Sequence, residues 1–391
     1  LNVREAMDAP GEYVLDRSQG MVEAIPFDGK PPSEAILSLL DGPILHARKA
    51  ERLVIRGLTV EAGRAEGIVL EGGLENRVAE VTVRNMGTHG IVMRNETGTV
   101  IDRVDCRNTG ETGLVLAGGD RATLVPGGNV VQDSTFLGSS RICRTYRPGV
   151  LVEGVGNVVR HCRITDLPHT AILMGGNDHL IEGNEIARVC RETGDAGAIY
   201  MGRDPTMRGV VLRRNFLHQI DPLVSTEGAY VGVMALYLDD CFGGVLVEGN
   251  VVVSTGEGLK IGGGHDNVVR GNAFVNCRPG IGFDGRGLGW AKGLFVRGGE
   301  WRFLEKLDEM KVKQPPYSVR YPRLVDYEQR NPARPQGNRS ERNLFLCEKP
   351  VEYLDGLTPA DLPGEGNTFG PAPGARWEAA LKEAGFRFPR R

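Results

Sequence analysis

Nine short segments of this chain repeat one pattern, in which a small residue is followed by two apolar residues separated by one position. They are Gly67-Ile-Val-Leu-Glu, Gly90-Ile-Val-Met-Arg, Gly113-Leu-Val-Leu-Ala, Gly149-Val-Leu-Val-Glu, Ala171-Ile-Leu-Met-Gly, Ala198-Ile-Tyr-Met-Gly, Ala235-Leu-Tyr-Leu-Asp, Gly258-Leu-Lys-Ile-Gly and Gly280-Ile-Gly-Phe-Asp. Their first apolar residues are spaced by 23, 23, 36, 22, 27, 37, 23 and 22 positions. A fixed period with occasional longer steps marks a solenoid whose coils carry loops. A second alternation, such as Val245-Leu-Val-Glu-Gly-Asn or Asn267-Val-Val-Arg-Gly-Asn, precedes many of the segments. Two or three short strands per coil of about 22 residues leave no room for a helix of ordinary length. Asn and Gly suit the corners because both tolerate positive φ. The expected fold is therefore all-β, a right-handed parallel β-helix.

Composition agrees. Gly is abundant at 55 of 391 residues, about twice the usual share, without a Gly-X-Y period. The net charge of −3 and the interleaving of acids with bases give no basic stripe, so a nucleic-acid partner is not expected. No apolar run reaches the ~18 residues of a membrane span, so no membrane partner is expected either. Seven cysteines without CxxC spacing read as reduced core thiols rather than a disulfide framework or zinc site. The chain opens at Leu1 with neither an initiator Met nor a signal-peptide pattern. A missing N-terminal part is therefore expected, and neither compartment nor oligomeric state is legible.

The expected organisation is a hairpin lead-in over residues 1–45, the β-helix over 46–300, a helix-and-loop excursion over 301–338, and a final coil with a C-terminal cap over 339–391. Within the last part, residues 377–386 read as an amphipathic helix that could close the open end of the solenoid and protect its strand edges.

Equivalent positions on adjacent coils should lie about 4.8 Å apart, so the alignment is a map. The first and third positions of each strand are apolar throughout and point inward. The position between them points outward and reads Val69, Val92, Val115, Leu151, Leu173, Tyr200, Tyr237, Lys260 and Gly282. The outer face thus changes character near residue 195. Beyond it Arg203, Asp204, Asp239, Asp240, Asp284 and Arg286 gather with Tyr200, Tyr237 and Lys260, separated by glycines that suggest open floor. His169 and Asp195 lead into adjacent strands from one edge. Asp and Gly also suit β-helix corners, and Asp239-Asp240 by itself fits a turn. Nine such residues on four coils instead fit a sugar site, which uses aromatic surface, charged groups and paired carboxylates.

The segment from Glu192 through Asp195 to Asp204, Leu236-Tyr-Leu-Asp-Asp240 and Ile261-Gly-Gly-Gly-His-Asp-Asn267 resemble the pectate-lyase-like β-helix superfamily, in particular glycoside hydrolase family 141. The likeness extends to Asp8-Ala-Pro-Gly-Glu-Tyr and Pro315-Pro-Tyr-Ser-Val-Arg-Tyr-Pro322. The resemblance implies hydrolysis of plant cell-wall glycans, fucosides or xylans, by two acidic residues. Asp195 and either Asp239 or Asp240 inherit that candidacy, and His265 lies in a matching motif.

Three functions follow as expectations. In a glycoside hydrolase of plant or microbial glycans, one carboxyl donates a proton and a second attacks or activates water. The catalytic candidates are Asp195, Asp204, Asp239 and Asp240. Asp204 and Asp240 lie on neighbouring coils, with Arg203 placed to keep one of them ionised. Asp239 and Asp284 lie two coils, about 9.6 Å, apart by strand spacing. The substrate-binding candidates are His169, Tyr200, Arg203, Tyr237, Lys260, His265, Asp284 and Arg286. No cofactor or metal is needed. In a polysaccharide lyase or epimerase, Lys260 and Arg286 would serve the uronate, with Ca²⁺ on Asp239 and Asp240. The third reading is a glycan-binding β-helix without catalysis. No complete GxGxxG, Walker, HExxH or GxSxG motif occurs.

Overall fold

The computed structural model describes residues 2–221 and 232–385. The chain divides into two compact units, Leu1–Leu39 and Leu40–Arg391. In the first, Tyr13–Asp16 pairs antiparallel with Met21–Ala24. The Asp16 carboxylate accepts from the Ser18 hydroxyl and the Ser18 and Gln19 amides, closing the turn between them.

The second unit is built from strands of mostly three to six residues, because each coil turns at a left-handed corner before a longer strand can form; glycines such as Gly183 and Gly249 hold some of these corners, and Glu80, Arg103, His161 and Arg214 hold others. Among the described residues these strands form three parallel stacks of eleven, with one further short strand, Val125–Pro126, pairing Leu114–Asp120 antiparallel. Each coil contributes one strand to each sheet. Successive strands pair in the register expected from the repeat: Ile172 lies beside Ile199, Leu236 beside Leu259, and Leu259 beside Ile281. This is a right-handed parallel β-helix. The inward residues Ile68, Ile91, Leu114, Val150, Ile172, Ile199, Leu236, Leu259 and Ile281 are fully buried. Each such aliphatic side chain contributes about 1.5–3 kcal/mol by leaving water.

One corner is held by an asparagine ladder. Asn184, Asn215, Asn250, Asn272, Asn343 and Asn367 stack coil upon coil; the Asn184 side-chain carbonyl accepts from the Cys162 amide N–H, and each later one from the amide N–H of the asparagine before it. Their Nδ2 groups donate to buried strand carbonyls such as Val159, Ile181 and Leu212. The ladder thus satisfies polar groups that a tight buried turn would otherwise strand. At another corner His179 takes the place that Asn129 and Asn157 hold on earlier coils, its Nδ1 accepting from the Asn157 amide at 3.2 Å. Burial pushes its imidazole down to about 4.

Long steps in the repeat are outward excursions. The 301–338 segment contains the helices Phe303–Glu309 and Tyr317–Arg320 and buries Leu304, Leu307, Tyr317, Tyr321, Leu324 and Tyr327 in a core of its own. The C-terminal helix Trp377–Glu383 differs from the expected end cap. Its Leu381 packs with Phe216, Val251, Val253, Ala273, Val275 and Leu344, the outward residues of one sheet. That apolar flank attracts it to the side of the solenoid; Phe386 lies outside the described residues. All seven cysteines are unpaired, six of them buried. Among the described residues no helix is long and apolar enough to cross a membrane.

Candidate active site

The strands Ala196–Met201, Val233–Leu238, Glu257–Gly262 and Ile281–Asp284 lie side by side. In-register pairing puts Tyr200 beside Tyr237, Tyr237 beside Lys260, and Lys260 beside Gly282. Because alternate residues of a strand face opposite ways, all four face outward. The chain then turns at the ends of three of these strands and delivers Arg203, Asp239, Asp240, Asp284 and Arg286 to one place.

Arg286 is the centre of that place. Its Nε and Nη2 donate to Asp284 at 2.9 and 2.8 Å, while Nη1 donates to Asp240 Oδ1 at 3.0 Å and also to Asp239 Oδ1. Arg203 Nε donates to the other oxygen of Asp240 at 2.6 Å. Tyr200 Oη donates to Asp239 Oδ2 at 2.9 Å, and Tyr237 Oη to Asp195 Oδ1 at 3.0 Å. The two tyrosine rings lie 5.3 Å apart. Lys260 Nζ sits 3.6 Å from both Glu257 and Asp284. Asp239, Asp240, Asp284, Lys260 and Arg286 are all buried, whereas Asp195 is exposed at the rim.

These surroundings separate the carboxylates electrostatically. Burial, then the negative charge of Asp239, pushes the Asp240 carboxyl above its ordinary range, against the opposing pull of Arg203 and Arg286. Burial also acts to raise Asp284, but the bonds and charge of Arg286, with the charge of Lys260, hold it below that range. Burial, then the charge of Asp239, holds Tyr200 and Tyr237 protonated far above their ordinary range, so both remain donors. Tyrosine donors, one carboxylate held ionised and one carboxyl with raised proton affinity therefore meet within a single network.

Several expectations need correction. The floor is not open. A Cβ at Gly282 would come 2.1 Å from Glu257 Oε2, and one at Gly262 would come 2.4 Å from Arg286 Cζ, so these glycines make room for charged side chains. Asp239 and Asp284 do stand two strands apart in the sheet, but the gap is bridged, because both accept from the guanidinium of Arg286. Asp204 joins another network: its carboxylate accepts from Arg121 at 3.3 Å and from the Thr206 amide and hydroxyl at 2.9 and 2.6 Å. Arg121 also donates to Asn177 at 3.0 Å. Asp204 thus anchors loops, and Arg203 is paired with Asp240 alone among the aspartates expected beside it. His265 is fully buried beneath the 301–338 excursion, its Nε2 3.1 Å from the Pro332 carbonyl and its ring 4.8 Å from that of Tyr327. His169 is buried, paired with the Thr170 hydroxyl at 2.9 Å and covered by the Tyr146 ring at 4.9 Å.

The structure adds residues that the repeat did not mark. Glu257 precedes the aligned positions of its strand, Tyr146 belongs to a long loop, and Trp290 and Trp301 follow the last aligned coil. The ring of Trp301 lies 5.3 Å from the Arg203 guanidinium, and that of Trp290 lies 5.9 Å from Arg286. Their aromatic character was the only signal the sequence offered. The oxygens of Asp239 and Asp240 that Ca²⁺ was expected to use accept from guanidinium groups and from Tyr200.

Residues 148–293 match the family described as right handed beta helix region. That stretch contains nearly all of the aspartate and tyrosine network. Three solved structures are similar, each 12% identical. PfbA, a surface adhesin of Streptococcus pneumoniae, matches over 62% of this chain and 66% of its own, with a TM-score of 0.38. A double mutant of the tailspike protein of E. coli bacteriophage HK620 matches over 78% and 49%, with a TM-score of 0.41. The Dettilon tailspike protein matches over 83% and 53%, with a TM-score of 0.33. The chain thus spans about half to two thirds of these structures. No curated protein matches the sequence.

Proposed function

We propose that the chain is a glycoside hydrolase of plant or microbial oligosaccharides or polysaccharides, acting through Asp195, Asp239 and Asp240. The observation that carries this reading is the adjacent pair Asp239 and Asp240, which share one guanidinium nitrogen of Arg286. Crowding two carboxylates favours retaining one proton between them, and the raised proton affinity of Asp240 makes it the donor to the leaving oxygen. Asp195, exposed and oriented by Tyr237, is the second carboxylate, which attacks the sugar or activates water. Tyr200 and Arg203 hold the pair in place.

The lyase reading is less well supported. It requires Lys260 and Arg286 to meet a substrate carboxylate, yet Lys260 lies between Glu257 and Asp284, and Arg286 is committed to three aspartates.

The test is a screen of the full chain against plant, algal and bacterial polysaccharides and aryl glycosides. Reducing ends and absorbance in the unsaturated-uronide band are read together, with and without chelator. Reducing ends without that absorbance, lost in Asp240→Asn and Asp195→Asn, support the hydrolase. Both signals rising together and disappearing with chelator or in Lys260→Ala refute it in favour of the lyase. Glycan binding without turnover, unchanged in every single aspartate variant, refutes it in favour of a binding β-helix.

A further inference from the structure

Among the described residues of the β-helix unit, the aromatic side chains that stand most exposed are Tyr146, Trp290 and Phe369. Phe369 stacks on Phe345 in the final coil. The other two flank the aspartates. Tyr146, 57% exposed, packs tilted against His169, which leads into the strand Ile172–Asn177, one coil before Tyr200. Trp290, 68% exposed, lies over Arg286, which follows the strand Ile281–Asp284, and packs edge-on against Trp301 at 5.7 Å.

The sheet order sets these two rings apart. Between the strands Ile172–Asn177 and Ile281–Asp284 lie Ala196–Met201, Val233–Leu238 and Glu257–Gly262, so the supporting backbones are four strand steps, roughly 19 Å, apart. Asp239 and Asp240 follow the middle strand. His169 enters at one edge of the sheet and Arg286 leaves at the other, so a line from Tyr146 to Trp290 crosses the site diagonally. Exposing a large aromatic face to water is unfavourable, and two such faces bracketing buried charges mark a binding surface. Sugar rings present C–H faces that cover aromatic rings and hydroxyls that reach charged groups between them.

Building on the hydrolase reading, we infer that Tyr146 and Trp290 are sugar-stacking platforms on opposite sides of the Asp239–Asp240 pair, and that the ligand is an oligosaccharide segment long enough to touch both. A single sugar or a disaccharide occupies one platform and gains nothing from the other.

The experiment uses an array of immobilised plant, algal and bacterial oligosaccharides graded from disaccharides upward. It is probed with the fluorescently labelled full chain, as wild type and as Tyr146→Ala, Trp290→Ala, Trp290→Phe and Asp240→Asn. The expected result is binding that strengthens beyond the disaccharide, falls about tenfold in either alanine variant for long chains only, and recovers in Trp290→Phe. Asp240→Asn should bind like wild type while losing turnover. Equal binding by wild type and both alanine variants, or binding independent of chain length, overturns the platforms and leaves the hydrolase reading standing. No binding to any glycan by wild type or Asp240→Asn overturns the platforms together with the carbohydrate reading. Because both side chains are exposed, a change in thermal midpoint in the alanine variants would itself contradict the proposed role.

Discussion

Replacing Asn215 by Ala tests whether the ladder is a principal fixture of the fold. Asn215 is fully buried. Its Oδ1 accepts from the backbone and side-chain nitrogens of Asn184, both at 3.0 Å. Its Nδ2 donates to the Ile181 carbonyl at 3.0 Å and to Asn250 Oδ1 at 2.9 Å. Truncation leaves the Asn184 amide without its acceptor and the Ile181 carbonyl without its side-chain donor, in a place water does not reach. At about 1–3 kcal/mol for each stranded group, the loss is roughly 2–6 kcal/mol, a large part of the ~5–15 kcal/mol that holds a typical domain folded. Asn215→Asp keeps the volume and the acceptors but sets oxygen against the Ile181 and Asn250 oxygens, so it should cost at least as much. Urea unfolding at pH 7, followed by far-ultraviolet circular dichroism, reads the midpoint and slope. Losses below about 1 kcal/mol in both variants, at unchanged slope, would refute the argument that the corner depends on these bonds.

Further outcomes follow from the same geometry. His179 and His265, each held down to about 4 by burial first, stay neutral in the fold but take a proton near 6.5 when unfolded. Stability should therefore fall as pH drops from about 6.5 towards 4, each histidine adding up to about 1.4 kcal/mol per pH unit; His179→Asn, which restores the residue of the two preceding coils, should flatten that slope in denaturation curves at pH 7, 6 and 5. Gly262→Ala should drive the Arg286 guanidinium off its aspartates, costing about 1–3 kcal/mol and abolishing turnover; full activity in a folded variant would contradict the packing. Arg286→Lys should lose several kcal/mol, since one ammonium does not span three buried carboxylates, and thermal melts check this. Arg203→Ala should raise the proton affinity of Asp240 further, moving the basic limb of the pH–rate profile upward; an unmoved limb would remove Asp240 as the proton donor.

The fold was legible because strand alternation has a period of two, so a shift of one residue would have turned every aliphatic side chain outward. Ile199, Leu236, Leu259 and Ile281 permitted one register, and that register also brought Tyr200 to Tyr237 and Asp239 to Arg286. Asp204 and His265 were misplaced because distant segments decide where they point. Arg121, 83 positions away, claims Asp204, and the loop carrying Pro332 and Tyr327 covers His265. A repeat records what neighbouring coils share and carries no trace of such crossings. The C-terminal helix was misread for a related reason, since the apolar flank that receives it is scattered over four strands' outward residues. Trp290 and Tyr146 belong to loops outside the period, where exposure becomes visible only after folding.

The direction of the inter-coil hydrogen bonds has a mechanical consequence. In all three sheets the covalent chain runs around the solenoid, while the bonds joining one coil to the next run along its axis. Tension applied across a coil is carried by the peptide chain and by bonds loaded in shear. Tension applied along the axis opens the rungs between coils in succession, with the covalent chain taking the load only after each coil has unwound. Pulled lengthwise from its C-terminal end, this molecule should lengthen in steps of about 22 residues, a saw-tooth whose longer teeth mark the coils that carry loops.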